Sequence, residues 1–194
     1  MNNNKIDIVY TWVNGNDPNW LNKKESFINQ NPNILENKRV NSKERFFNND
    51  ELKFSLRSVQ KYAKWINNIY IITDNQKPEW LNLAHPKIKL IDHREIFDEE
   101  YLPCFNSSAI ETSLHKIKEL SNYFLFFNDD LFLGRETSMG DFFKDNSPKL
   151  FSGKENISIQ DLHKKERKNE FQYAIHNARL AIYRKYNFFC GFNL

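Results

Sequence analysis

Apolar residues along the chain fall into two kinds of pattern, short continuous runs and runs at helical spacing, and the two kinds alternate. Residues 6–13 (Ile-Asp-Ile-Val-Tyr-Thr-Trp-Val), 68–73 and 87–91 are short stretches rich in β-branched and aromatic side chains, each ending at polar residues, and they read as strands. Residues 123–134 form a longer apolar and aromatic run, broken by Asn128, Asp129 and Asp130. A continuous run of this kind fits a strand buried on both faces of a parallel sheet.

Helical signals lie between these strands. Asp17-Pro18 has the form of a cap followed by a first-turn proline, so a short helix is expected through Ile28. Asn48 precedes Glu51 by three, as in a capping box, and Leu52, Leu56, Val59, Ala63 and Ile66 then recur on one face. Ser108 and Glu111 repeat that signature before Ile110, Leu114, Ile117 and Leu120, and they place Glu111 and His115 four apart on one face. Residues 77–81 read as a loop with a turn of helix. Residues 29–42 are polar and aperiodic, a loop or insertion. Ser138 is expected to cap a short helix containing Phe142 and Phe143. Residues 144–168 read as loop-rich, with strand fragments around Leu150 and Ile157. Phe171, Ala174, Ile175, Ala178, Ile182 and Tyr186 mark a terminal helix.

The resulting order, strand, helix, strand, strand, helix, strand, predicts an α/β fold: a mainly parallel sheet covered by helices. Asn14-Gly15, Asp74, His93 and Asn128-Asp129-Asp130 then all stand at the carboxyl ends of strands, the edge where open α/β sheets bind ligands.

Length and charge narrow the chemistry. A chain of 194 residues supports one substantial core, and 1–194 is read as a single catalytic-type domain. A net charge of +3 from mixed acids and bases points to no nucleic-acid partner. Cys104 and Cys190 lack metal-ligand spacing and suit a reducing compartment. With no signal-peptide pattern and no membrane-length apolar run, a soluble cytoplasmic protein is expected, compatible with peripheral association at the inner face of the cell membrane. Five glycines in no phosphate-loop pattern exclude a Walker or dinucleotide fingerprint, and no nucleophile elbow is present. The remaining kit is an acid pair at a strand end with basic and hydroxyl groups on flanking helices. It suits Mg²⁺ or Mn²⁺ clamping a diphosphate, and it also reads as a polar turn.

Three blocks of residues carry a more specific signal. They are Asp7-Ile-Val-Tyr-Thr-Trp-Val-Asn-Gly-Asn-Asp-Pro18; Arg45-Phe-Phe-Asn-Asn-Asp-Glu-Leu-Lys-Phe-Ser-Leu-Arg-Ser58 with Ile69-Tyr-Ile-Ile-Thr-Asp74 and Pro78-Glu-Trp-Leu81; and Leu102-Pro-Cys-Phe-Asn-Ser-Ser-Ala-Ile-Glu111 with Phe126-Phe-Asn-Asp-Asp130. In this order they resemble the first three motif blocks of the Stealth family, which contains bacterial capsular polysaccharide phosphotransferases and the catalytic subunit of the lysosomal-enzyme GlcNAc-1-phosphotransferase. The resemblance implies a Rossmann-like fold of the nucleotide-sugar transferase kind. It also implies transfer of a sugar 1-phosphate from a nucleotide diphosphate sugar, typically UDP-linked, to a saccharide hydroxyl.

Carried over by position, Asp129 and Asp130 become metal ligands or base, and Arg57 a diphosphate contact or else a solvated partner of Asp50 or Glu51. Trp12, Asn14 and Gly15 border the nucleotide, Trp12 reading equally as core. Asp74, Ser58 and Asn128 belong to the substrate-binding set, and His115 is a base or acceptor contact or a plain surface histidine. Glu111 is a cap first. His85, His93, His163 and His176 receive no role. The family's fourth block has no counterpart before Leu194. An ordinary metal-dependent glycosyltransferase and a non-catalytic nucleotide-sugar-binding fragment are the alternative readings.

Overall fold

The computed structural model describes residues 5–32, 46–149 and isolated positions 177, 180, 181, 184 and 185. Residues 33–42 of the loop expected at 29–42, the strand fragments at Leu150 and Ile157, nearly all of the terminal helix, and His163, His176 and Cys190 lie outside the described residues. The chain divides into two compact units, Met1–Met139 and Gly140–Leu194.

The first unit is built on four parallel strands in the order β3-β2-β1-β4, where β1 is Ile6–Thr11, β2 Ile69–Thr73, β3 Ile88–Asp92 and β4 Tyr123–Asn128. Strand β1 is central because it is buried along almost its whole length, and it pairs on both sides, Ile8 with Ile69 and Leu125, Thr11 with Ile72 and Asn128. The chain winds outward from β1 through β2 to β3, then returns to the other side of β1 as β4. The direction of winding therefore reverses between β1 and β4, and the crevice beyond their carboxyl ends is the switch point of a doubly wound sheet. Mainly parallel and helix-covered, this is the α/β, Rossmann-like architecture expected.

Helix α1, Pro18–Gln30, starts where Asp17 accepts hydrogen bonds from the backbone N–H groups of Asn19 and Trp20, and it runs two residues past the expected Ile28. Helix α2, Glu51–Tyr62, buries Leu52, Ser55 and Val59. Its start differs from a capping box anchored on Asn48. The cap is Asp50 in the left-handed region at φ 63°, while Asn48 Oδ1 accepts from Asp50 N–H and Glu51 accepts from Asn49 N–H. Two side-chain bonds thus serve the backbone N–H groups of Asp50 and Asn49, in place of those of Glu51 and Asn48 that a box would have served. A one-turn helix, α3 (His93–Ile96), follows β3 and was not expected. Asp92 and Glu95 form its capping box.

The helix expected over 108–120 is broken. Helix α4, Ser107–Thr112, is capped by Asn106 rather than Ser108, and a 3₁₀ turn, Leu114–Lys116, follows Ser113. The apolar stripe survives the break. Ile110, Leu114 and Ile117 pack with Val9, Tyr70, Ile72, Ile91 and Ile96 into one buried cluster, each such side chain contributing about 1.5–3 kcal/mol relative to exposure. Strand β4 stops at Asn128, so Leu131 and Phe132 are exposed rather than part of a strand.

At the amino edge of the sheet, buried Asp7 binds three segments together. Its Oδ1 accepts from Asn67 Nδ2 at 2.8 Å and Asn68 N at 2.9 Å, and its Oδ2 from Ser121 N at 2.8 Å. These bonds fix where β2 and β4 begin beside β1. In the second unit, Phe143–Lys144 (β5) and Ser147–Pro148 (β6) pair antiparallel after a turn through Asp145 and Asn146, both at positive φ. Among the described residues no helix is long and apolar enough to cross a membrane.

Candidate functional site

A cavity of about 210 Å³ opens at the carboxyl edge of the sheet, against the tips of β1, β2 and β4. Its walls are aromatic. Trp12 follows β1, Trp20 comes from α1, and Phe46 and Phe105 come from the segments before α2 and α4. Trp20 holds the last two in place, with ring centroids 5.1 Å from Phe46 and 5.5 Å from Phe105. Asp74 and His93 supply polar groups after β2 and β3, and Asn128 and Asp129 supply them at the end of β4.

The turn after β1 is shaped by one close approach. Gly15 N–H donates to the Phe46 carbonyl at 2.9 Å, and a Cβ at Gly15 would sit 2.1 Å from that oxygen. Only a residue without a side chain lets the two backbones meet there. Buried Gln76 locks the turn from β2's side. Its Oε1 accepts from Asn14 N–H at 2.9 Å, and its Nε2 donates to Asn14 O at 3.0 Å and to Asp17 Oδ2 at 3.1 Å. Asn14's own Oδ1 accepts from Asn16 N–H, so this side chain shapes the turn. The bond from Gln76 is the largest influence holding Asp17 below the usual carboxylate range.

Three residues of the lining, Trp12, Asp74 and His93, are incompletely paired. Lys23 Nζ stands 2.7 Å from Asp74 Oδ1, while Asp74 Oδ2, Trp12 Nε1 and His93 Nδ1 are buried without a hydrogen-bond partner. All three residues are more than nine-tenths buried. Native proteins pair nearly all such atoms, and each one left unpaired costs about 1–3 kcal/mol. Burial pushes the His93 imidazole below its ordinary value, against the pull of Asp74 and Asp92, so the ring is neutral at pH 7.

The outer end carries the acids. Burial raises the Asp129 carboxyl above its ordinary value, and the charges of Asp130 and Glu51 raise it further. Asp130 is exposed. Burial opposes ionisation of Glu51 too, but hydrogen bonds from its own and Asn49's backbone N–H and from the Asn49 side chain outweigh it, and its carboxyl lies low. Helix α2 fixes the loop that follows. Ser55 Oγ donates to Leu131 O at 2.5 Å and lies 2.8 Å from Tyr10 OH, and Ser58 Oγ accepts from Leu133 N–H at 3.0 Å. Among the described residues no three His, Cys, Asp or Glu side chains converge as a ready-made metal cage. The donor set here is two carboxylates whose mutual repulsion a cation would relieve, which fits Mg²⁺ or Mn²⁺ completed by phosphate oxygens and water.

Of the residues singled out from sequence, Trp12, Asp74, Asn128 and Asp129 are brought together around this cavity, with Asp130 beside them. Asn14, Gly15 and Ser58 stand behind it and hold its loops. Arg57 and His115 are not brought to it. Arg57 is exposed on α2, lies 5.7 Å from the Phe54 ring, and lines a separate groove with Lys53, Trp80 and Lys87. His115 is exposed on the 3₁₀ turn with Nδ1 2.9 Å from Thr112 O. Sequence reasoning passed over Trp20, Phe46 and Phe105 as cavity walls and Gln76 and Ser55 as loop anchors, and it gave His93 a place on the rim but no role. Only His93 carried a visible signal, its place at the end of a strand.

Comparison with known proteins bears on these residues directly. Residues 4–32 match the model of Stealth protein CR1, conserved region 1, and residues 45–151 that of Stealth protein CR2, conserved region 2. An exopolysaccharide phosphotransferase of Streptomyces coelicolor is 47% identical over 142 residues, 73% of this chain and 23% of its own length. Capsular polysaccharide phosphotransferases of Haemophilus influenzae and Streptococcus pneumoniae are 46% and 43% identical, over 73% and 77% of this chain and 38% and 44% of theirs. The chain therefore spans less than half the length of these relatives, and the two conserved regions together include every described residue that lines the cavity.

Proposed function

We infer the reaction from a premise the comparisons establish, that this chain belongs to the Stealth family: it transfers a sugar 1-phosphate from a nucleotide diphosphate sugar to a saccharide hydroxyl in the synthesis of capsular or exopolysaccharide. One observation supports this most. Asp129, followed in the chain by exposed Asp130, lines an aromatic-walled cavity at the switch point of the sheet, and three other lining residues, Trp12, Asp74 and His93, each carry a buried polar atom without a partner.

In this reading the acceptor oxygen attacks the phosphorus that bears the sugar. The bond from that phosphorus to the nucleoside monophosphate breaks, the acceptor loses its proton, and the bond between the anomeric carbon and oxygen persists. Catalysis of this kind rests on in-line positioning and on neutralising charge at the phosphoryl oxygens. Asp129 and Asp130 are the residues that would hold Mg²⁺ or Mn²⁺, which when bound would supply that neutralisation. Asp129, with its carboxyl raised toward neutrality by burial and two neighbouring acids, is also the group here best suited to exchange a proton with the acceptor. Trp20, Phe46 and Phe105 offer faces to planar or apolar parts of the donor, and Lys23 is paired with Asp74 of the lining.

The test is the nucleotide released. A UDP-sugar incubated with an oligosaccharide acceptor and Mg²⁺ or Mn²⁺ is expected to yield UMP. UDP as the only nucleotide product would overturn phosphate transfer in favour of a glycosyltransferase.

A further inference from the structure

A groove of about 420 Å³ lies between α2 and the segment joining β2 to β3, and it shares no lining residue with the cavity described above. Its size falls within the range of about 300–1,000 Å³ usual for ligand sites. Four cations line it, Lys53, Arg57, Lys64 and Lys87, and no carboxylate does. The chain as a whole carries 28 basic and 25 acidic residues, nearly one acid per base, so this is a local separation of charge. The cations also form a row. Lys53, Arg57 and Gln60 stand at i, i+4 and i+7 on one face of α2, and Lys64 continues the row at i+11, just past the helix end. At about 1.5 Å per residue the row is about 16 Å long, with about 6 Å from Lys53 to Arg57 and about 10 Å from Arg57 to Lys64.

A ligand can reach these groups. Arg57, Gln60 and Lys64 are exposed, and among the described residues neither Arg57 nor Lys64 has a carboxylate partner. Lys53 meets Asp50 at 3.7 Å, and Lys87 is turned to the Ile66 and Lys64 carbonyls. Half-buried Leu56, Trp80 and Ile88 give the groove its apolar surface, and Trp80 is held in place by a bond from its Nε1 to Asp50 Oδ1 at 3.1 Å. The spacing of charge narrows the ligand. A phosphate headgroup on a lipid calls for cations gathered at one end of an apolar slot, and a single phosphate for cations converging on one point. Cations spread along a row, with aromatic and aliphatic surface between them, match a linear molecule that alternates anionic groups with rings able to pack on a flat side chain.

Resting on the reaction argued above, we propose that Lys53, Arg57 and Lys64, with Trp80, form a docking groove for an anionic saccharide chain, the phosphodiester-linked product that serves again as acceptor. Each transfer of a sugar 1-phosphate to a saccharide hydroxyl leaves one negative phosphodiester in the chain, so the product carries the repeated charge that the row complements. Position agrees with this. Asp50 holds Trp80 at one end of the groove, and the next residue, Glu51, acts on the carboxyl of Asp129 in the cavity. The first turn of α2 thus separates the groove from the acids, and a chain held along α2 has its end beside them.

The experiment is equilibrium binding to the full chain, by calorimetry or ligand-observed NMR, of two matched probes: a tetramer of glucose 1-phosphate units joined through O6, and isomaltotetraose, the same sugars without phosphate. The phosphorylated tetramer is expected to bind at least about tenfold more tightly at low salt, and its advantage to shrink as salt screens the exposed row. Arg57→Gln combined with Lys64→Gln is expected to lower that affinity at least about tenfold, and Arg57→Lys combined with Lys64→Arg, which keeps both charges, to retain it. Equal affinity for the two tetramers, no binding of the phosphorylated one, or wild-type affinity in the glutamine variant would each overturn the assignment. So would linear polyphosphate binding as tightly as the tetramer, the mark of a general polyanion surface, or phosphatidylglycerol vesicles binding in its place, the mark of a membrane contact. The comparison of probes on the wild-type chain stands whether or not a variant folds. Because the probes undergo no transfer, the groove and the reaction fail separately: tetramer binding with UDP released from a UDP-sugar keeps the groove and removes phosphate transfer, and UMP release without tetramer binding does the reverse.

Discussion

Gly15→Ala is the sharpest test of how the turn after β1 builds the cavity. The added Cβ would stand 2.1 Å from the Phe46 carbonyl oxygen, 2.6 Å from Phe46 Cβ and 2.7 Å from its carbonyl carbon, far inside the 3.4 Å at which ordinary contact begins. The obstacle is chiefly backbone and cannot be relieved by turning a side chain, so the two segments must separate. Forced overpacking costs about 1–3 kcal/mol. Losing the 2.9 Å bond from Gly15 N–H to Phe46 O adds about 0.5–1.5 kcal/mol. Gly15 is not at positive φ, so alanine also restricts the unfolded chain, returning about 0.4–1 kcal/mol. The net expectation is a loss of about 2 kcal/mol, read as a fall of about 1 M in the urea midpoint. Phe46 is a cavity wall packed on Trp20, so UMP affinity should fall in the same variant, measured well below its new midpoint. A variant with wild-type midpoint and wild-type affinity would refute both the contact and its role in shaping the cavity.

Two further outcomes separate fold from chemistry. Asp7→Asn retains one acceptor oxygen but replaces the other by an amide N–H that faces a donor, such as the Ser121 N–H that bonds Asp7 Oδ2 in the wild type, so stability should drop by about 2–4 kcal/mol. Nucleotide affinity of the folded fraction should be unchanged, since Asp7 lies at the opposite edge of the sheet; a selective loss of binding would contradict that placement. Asp129→Asn is expected to abolish transfer while making the ligand-free protein more stable at pH 7. The sign follows from linkage: the Asp129 pKa is raised in the fold above 3.8, so its contribution favours folding below 3.8 and is lost as pH rises through the folded value, where the ionised group faces Asp130 and Glu51. Thermal unfolding between pH 4 and 8 should show the wild type losing ground to the variant as pH rises; parallel curves would show that Asp129 carries no such penalty.

What the sequence disclosed and what it withheld divide along the range of the interactions involved. The succession of strands along the chain was within reach because each run carries its signature within itself, fully buried in Ile69–Thr73 and mostly half-buried in Tyr123–Asn128, and parallel winding then brings Asp74 and Asp129 to one edge. Helix phase could show which residues of α2 are buried, but not which exposed flank faces the cavity. For that reason Arg57 read as a diphosphate contact or else as a solvated partner of Asp50 or Glu51, and it stands over a different groove. Cap positions moved because an asparagine can satisfy the backbone two residues on as readily as a serine can satisfy it three on, and Asn106 displaced Ser108 in this way. Gln76 and Ser55 were beyond reach for a different reason. Their partners are 62 and 76 residues away, and a glutamine or serine that anchors a remote loop looks the same in a sequence as one that faces water. His93 lay between these cases, visible at a strand end and yet uninterpretable until Trp12 and Asp74 stood beside it, each with a buried atom still unpaired. A site assembled from several strand tips is therefore legible one tip at a time, and its chemistry, which depends on how donors and acceptors face one another across the crevice, emerges only when the tips are brought together.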